Sequence, residues 1–124
     1  MKKDSIYLIW RDSKTGKGFP VGTLTRSDHY EFTYANELQD AKTHGFTPLI
    51  GMPSFTAKYS DDQLFPIFSC RLPSPKRKDI QRILDTLGLD TYDEFEILKR
   101  SGAQLPTDTL KFVSRVFTKG GQSL

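Results

Sequence analysis

Cysteine is almost absent: Cys70 stands alone in 124 residues. A lone cysteine cannot close an internal disulfide, which points to a reducing cytoplasm as the expected compartment. Histidine is nearly as scarce, with two residues. His29 and His44 stand at no metal-ligand spacing with each other or with Cys70, so each reads as a surface or half-buried side chain and no metal or other cofactor is expected. No apolar run approaches the roughly 20 residues of a membrane span, so no membrane partner is expected. The N-terminal MKKDSIYLIWRDSKTG has two lysines, but Arg11 and Asp12 interrupt its apolar run before it is long enough for a signal-peptide core. A strong charge bias is lacking as well. Eighteen Lys and Arg against fifteen Asp and Glu leave a net charge of +3, milder and less clustered than nucleic-acid binders usually carry. There is no repeat and no low-complexity segment.

What is present describes a folded domain. An apolar content of 36% with 12% aromatics suits a globular chain of one domain, able to bury about two-thirds of its unfolded surface. We place that domain at residues 1–117 and a frayed tail at 118–124.

The most densely specified stretch is residues 60–82, SDDQLFPIFSCRLPSPKRKDIQR. Ser60 and Gln63 have the spacing of a capping box, which predicts a helix starting there and carrying Leu64, Phe65, Ile67, Phe68 and Leu72. Pro66 falls in its first turn, where a missing N–H costs little. Pro73 and Pro75 end it. Ser74 then caps a second helix with Pro75 at its first position. In that helix Ile80, Ile83, Leu84 and Leu87 form an amphipathic stripe, and Gly88 sits where a left-handed cap belongs.

Upstream, residues 5–11 (SIYLIWR) and 19–26 (FPVGTLTR) read as strands joined by a polar hairpin loop, with Gly22 at a bulge. In residues 29–34 (HYEFTY) Tyr30, Phe32 and Tyr34 alternate with polar residues, the period of a half-buried third strand. Residues 35–43 predict one or two helical turns stopped at Gly45. Residues 46–53 (FTPLIGMP) predict an edge strand or an extended crossing, and residues 55–59 a short strand. Thr91 and Glu94 form a second capping box, opening a helix that runs through Phe95 and Leu98 to Gly102. Residues 105–109 read as a turn, and 109–117 (TLKFVSRVF) fit a final strand or a short helix.

Little of this carries chemistry. Cys70 sits in the apolar helix and reads as a small core residue. Residues 14–18 (KTGKG) resemble a phosphate loop only superficially: the first glycine of that motif is missing and a strand follows. Asp61 and Asp62, and the acids of residues 90–96, are explained by helix starts, where the macrodipole favours them. The ambiguous feature is the cationic cluster Arg71, Lys76, Arg77, Lys78 and Arg82 around the proline corner. It reads as a solvated helix face or as a contact surface for an acidic partner or for phosphates. Cations at a helix N-terminus oppose its dipole, no helix-turn-helix pattern follows, and aromatic interleaving for base stacking is weak.

Several short motifs occur in a telling order: Trp10 on the first strand, VGTL (Val21 to Leu24), YEFTY (Tyr30 to Tyr34), PLIGMP (Pro48 to Pro53), then LFPIFSCRLP (Leu64 to Pro73) and a helix with Arg77 and Arg82. Over residues 6–102 this resembles the N-terminal subdomain of HipA-type toxin kinases. That family tends to read V-G-x-L, F-x-Y, P-L-S-x-x-x-P and L-x-x-F-F-x-N-L-L-P before a basic helix. The chain departs from it with C-R-L for N-L-L and with Ser74 for an acid. A nucleotide lobe and catalytic loop have no counterpart here. The resemblance implies a free-standing, HipS-like subdomain, an antitoxin or regulatory subunit in a bacterial toxin–antitoxin system. Its implied partner is a HipA/HipT-like kinase.

The expected fold is therefore α+β, with an antiparallel, partly closed small sheet or barrel followed by a cap of about three helices. The expected function is non-catalytic protein binding through Arg71, Leu72, Pro73, Lys76, Arg77 and Lys78. The alternatives are a nucleic-acid-binding accessory domain, the leading domain of a longer protein and, least favoured, an enzyme.

Overall fold

Alternating large apolar and polar residues in the first third of the chain produce three antiparallel strands: β1 (Asp4–Arg11), β2 (Gly18–Arg26) and β3 (Tyr30–Tyr34). Their inward faces carry Ile6 and Leu8, Val21 and Leu24, and Tyr30, Phe32 and Tyr34, all buried. Two later strands extend this meander, β4 (Lys58–Asp61) beside β3 and β5 (Leu110–Val113) beside β1. The computed structural model describes residues 3–102 and 109–114. Among these the sheet is five-stranded, in the order β4-β3-β2-β1-β5, and open rather than closed into a barrel. With four short helices it makes an α+β fold.

The bulge lies one residue before Gly22. Leu8 faces Gly22 while Ile9 faces Pro20, so Val21 is the extra residue, and the N–H that Pro20 lacks falls where the ladder is already interrupted. Gly22 itself makes room: a Cβ there would lie 2.3 Å from Phe32 Cζ.

The helices are α1 (Gln39–Thr43), α2 (Pro66–Ser69), α3 (Ile80–Leu87) and α4 (Glu94–Ser101). Several local expectations are corrected here. Ser60 belongs to β4, opposite Glu31, so it caps no helix. Instead Asp61 Oδ1 accepts the Gln63 N–H, and α2 starts at Pro66 without a side-chain cap. The strand expected at 55–59 starts three residues later, at Lys58, because pairing with β3 sets its register. Residues 46–53 form no edge strand; they cross the molecule with a tight turn at Ile50-Gly51, where Met52 N–H reaches the Leu49 carbonyl at 3.0 Å.

α2 stops at Ser69, ahead of both prolines, which leaves Cys70 exposed rather than in the core. Ser74 does not start α3: its hydroxyl accepts the Lys76 N–H in a local turn, and the helix begins at Ile80. The cap of α4 is Asp93, two residues past Thr91; its carboxylate accepts the Glu96 N–H. Gly88 and Gly102 end α3 and α4 at the expected positions, both in left-handed conformation, which was expected of Gly88. Residues 105–108 and 118–124 lie outside the described residues.

The core lies between sheet and helices. Phe68 is fully buried and touches Phe32, Phe65 and Phe112, with ring centroids 5.0–6.2 Å apart. Phe95 and Leu98 join it from α4. Burial of each such side chain is worth about 1.5–3 kcal/mol. The stripe of α3 is only partly covered: Leu84 is buried, whereas Ile80, Ile83 and Leu87 are half-exposed. Leu72 is likewise half-exposed. No helix among the described residues is long and apolar enough to cross a membrane.

Candidate partner-binding surface

Because α2 ends early, residues 70–79 form an irregular corner between two helices. Its first half is anchored. Arg71 Nε donates to the Ile67 carbonyl at 3.3 Å, and burial pushes the guanidinium pKa down. Tyr92, just before α4, donates its hydroxyl to the Pro73 carbonyl at 2.7 Å. Pro73 also lines a small apolar cleft with Ile83, Leu87 and Ile97, between α3 and α4. Arg71, Leu72 and Pro73 are therefore half-buried and fixed by the surrounding fold.

The second half is exposed. Arg77 grips Asp79 with two parallel hydrogen bonds of 2.8 and 2.9 Å, and Arg82 approaches the same carboxylate at 3.5 Å. Paired in this way, Asp79 titrates below the usual carboxylate range and Arg77 above its ordinary value. Lys76 and Lys78 are exposed and form no ion pair among the described residues. The six expected site residues thus divide: Arg71, Leu72 and Pro73 shape the corner, Arg77 is engaged locally, and Lys76 and Lys78 present charge to solvent.

The other candidates are structural. His29 sits between two carboxylates, with Nδ1 2.6 Å from Asp28 and Nε2 2.9 Å from Glu31. Glu31 first and Asp28 second raise its pKa. His44 ends α1, its Nδ1 2.8 Å from the Asp40 carbonyl and its ring 4.8 Å from that of Phe19. No group of His, Cys, Asp and Glu suited to a metal occurs among the described residues. In the 14–18 loop, Lys14 N–H and the Thr15 hydroxyl donate to the buried Asp12 carboxylate, both at 3.0 Å, and Gly16 N–H to the Asp12 carbonyl at 2.7 Å. Those donors are used within the turn and cradle no phosphate.

One feature of this end of the molecule escaped the sequence reading. Ile50, at the tip of the 49–52 turn, is 86% exposed, the one large apolar side chain so displayed among the described residues. The available signal was Gly51 between apolar neighbours, a glycine where a type II turn needs positive φ.

The family model of the HipA N-terminal domain matches residues 16–107, from the β1–β2 loop to beyond α4. Among curated proteins and among solved structures, nothing matches the chain significantly. The matched family is the non-kinase part of HipA-type proteins. With three-quarters of its length covered by that match, this chain belongs to the HipA N-terminal domain family.

Proposed function

We propose that this domain is a non-catalytic protein-binding module that docks on a HipA/HipT-like kinase and modulates it, as the antitoxin or regulatory subunit of a toxin–antitoxin system. The family match over residues 16–107 carries this reading. The anchored corner supports it: a surface already held by Tyr92 and Arg71 loses little conformational freedom on docking. Exposed cations beside half-exposed Leu72 resemble the rim and centre of a protein interface more than a phosphate track.

The test is a titration of a HipA-type kinase core lacking its own N-terminal domain. Lys76→Glu with Lys78→Glu should weaken binding about tenfold or more by reversing rim charge, with an unchanged circular dichroism spectrum. The isolated domain should show no ATP hydrolysis or phosphotransfer. Submicromolar binding to random duplex DNA at physiological ionic strength, with no kinase bound, would replace this reading by the nucleic-acid one.

A further inference from the structure

β4 (Lys58–Asp61) lies at one edge of the sheet, with β3 as its single neighbour among the described residues. Lys58, Ser60, Asp61 and the following Asp62 are all exposed. The direction of its backbone groups follows from the strand beside it. Ala35 N–H bonds the Val21 carbonyl at 2.8 Å, in register with the β2–β3 pairs. Backbone groups alternate sides along a strand, so Glu31 and Thr33 also turn theirs toward β2, and Tyr30 and Phe32 turn theirs toward β4. Asp61 and Tyr59 stand opposite those two and complete the ladder. Lys58 and Ser60 therefore point their N–H and C=O groups away from the sheet, where another strand can reach them.

Charge decides which strand. Charges on an edge keep unrelated strands from pairing, but these match the strand's own copy. An antiparallel copy related by a two-fold axis pairs only positions of equal backbone direction. With Ser60 on the axis, Ser60 faces its twin, Lys58 faces the partner's Asp62, and Tyr59 faces the partner's Asp61. No like charges then stand opposite each other. With Tyr59 on the axis instead, Lys58 would face only Ser60, and no opposite charges would meet. Lys58 and Asp62 are available for the first arrangement, since neither forms an ion pair among the described residues. Glu31, the β3 residue opposite Ser60, is held by His29 at 2.9 Å. Open grooves flank the strand at both ends, one bordered by Lys58 and the other by Asp62. We infer that β4 is the pairing edge of a homodimer, in which two sheets join through Ser60 and reciprocal Lys58–Asp62 pairs.

This pairing is independent of the kinase docking proposed above, which its own titration tests. A dimer joined along one short strand has a small, weak interface. Sedimentation equilibrium should show a reversible dimer that fills as concentration rises toward about 1 mM. Lys58→Asp and Asp62→Lys should each weaken it about tenfold, by setting like charges opposite each other, while the combined swap should restore it. Ser60→Pro removes an outward N–H that the β3 ladder does not use, and should abolish the dimer. Because proline can disturb the strand itself, the register is read separately by cross-linking. In a Cys70→Ser background, Ser60→Cys should oxidise in air to a covalent dimer. Hydrogen-bonded antiparallel pairs hold their Cα atoms about 5.5 Å apart, within disulfide reach. A wild-type chain that stays monomeric at about 1 mM overturns the inference. So does a dimer that the charge swap fails to restore, or one that Ser60→Cys fails to link, which would assign it to another face.

Discussion

Arg26, at the end of β2, pairs with Asp93, the residue that caps α4, across 67 positions of sequence. Its guanidinium also lies over the Phe95 ring, 4.8 Å from the centroid. One carboxylate therefore starts a helix and ties it to the sheet. Asp93→Ala removes the cap and leaves a half-buried cation with fewer partners. The expected loss is about 1–2 kcal/mol, a cap of about 1 plus a pair of up to 1. Asp93→Asn keeps a capping oxygen and should lose less than half of that. Urea midpoints of the two variants check both the size and the order.

The same pair shows why some of the fold is legible in the sequence and some is not. The first three strands are local signals: a period of two, with Tyr30, Phe32 and Tyr34 on one side, survives any tertiary context. Capping boxes are equally local but ambiguous. Thr91–Glu94 and Asp93–Glu96 overlap with the same spacing, and long-range pairing to Arg26 favours the second. Ser60 has the right neighbours for a cap, yet the β3 ladder claims its backbone first. The partner surface fares similarly. Its cations could be read directly, but the Tyr92 support of Pro73 and the Tyr34 hydroxyl, which binds the Leu49 N–H and the Met52 carbonyl at the two ends of the Ile50 turn, join residues 15–19 positions apart. No local pattern announces them.

At the centre of the core, Phe68→Ala should cost about 3–5 kcal/mol. The side chain is fully buried among Phe32, Phe65 and Phe112, and those rings are held by different elements that cannot all move inward. Chemical denaturation is the measurement. A midpoint equal to that of wild type would mean that the α2 segment packs elsewhere.

The β2–β3 turn should respond to pH through His29. Its folded pKa is raised above 6.5 by Glu31 and Asp28, so the charged imidazolium is the favoured form. The contribution is therefore complete below the unfolded pKa and is lost as pH rises through the raised folded value. Glu31 and Asp28 titrate low for the same reason, their largest cause being the hydrogen bond to His29. Ring-nitrogen NMR should place the His29 midpoint above 6.5, and Glu31→Gln should move it down. A midpoint unaffected by Glu31→Gln would show the pair to be open in solution.

Gly22→Ala tests the closest approach in the sheet. A Cβ at this position would lie 2.3 Å from Phe32 Cζ, 2.7 Å from Cε1 and 3.1 Å from the Thr33 carbonyl oxygen. A flexible side chain at the surface would swing aside, but Phe32 is fully buried and packs against Tyr34 and Phe68 at ring distances of 5.2 and 5.4 Å. Its ring can leave only by pushing on the rest of the core, and overpacking of this kind costs about 1–3 kcal/mol. The variant should therefore melt earlier than wild type. Phe32→Leu alone also destabilises, by shrinking the core, yet it vacates the space that the new methyl needs. Combined with Gly22→Ala, it should cost less than the two single losses added together. Additive losses would show that the methyl is rejected by the Thr33 backbone and not by the ring.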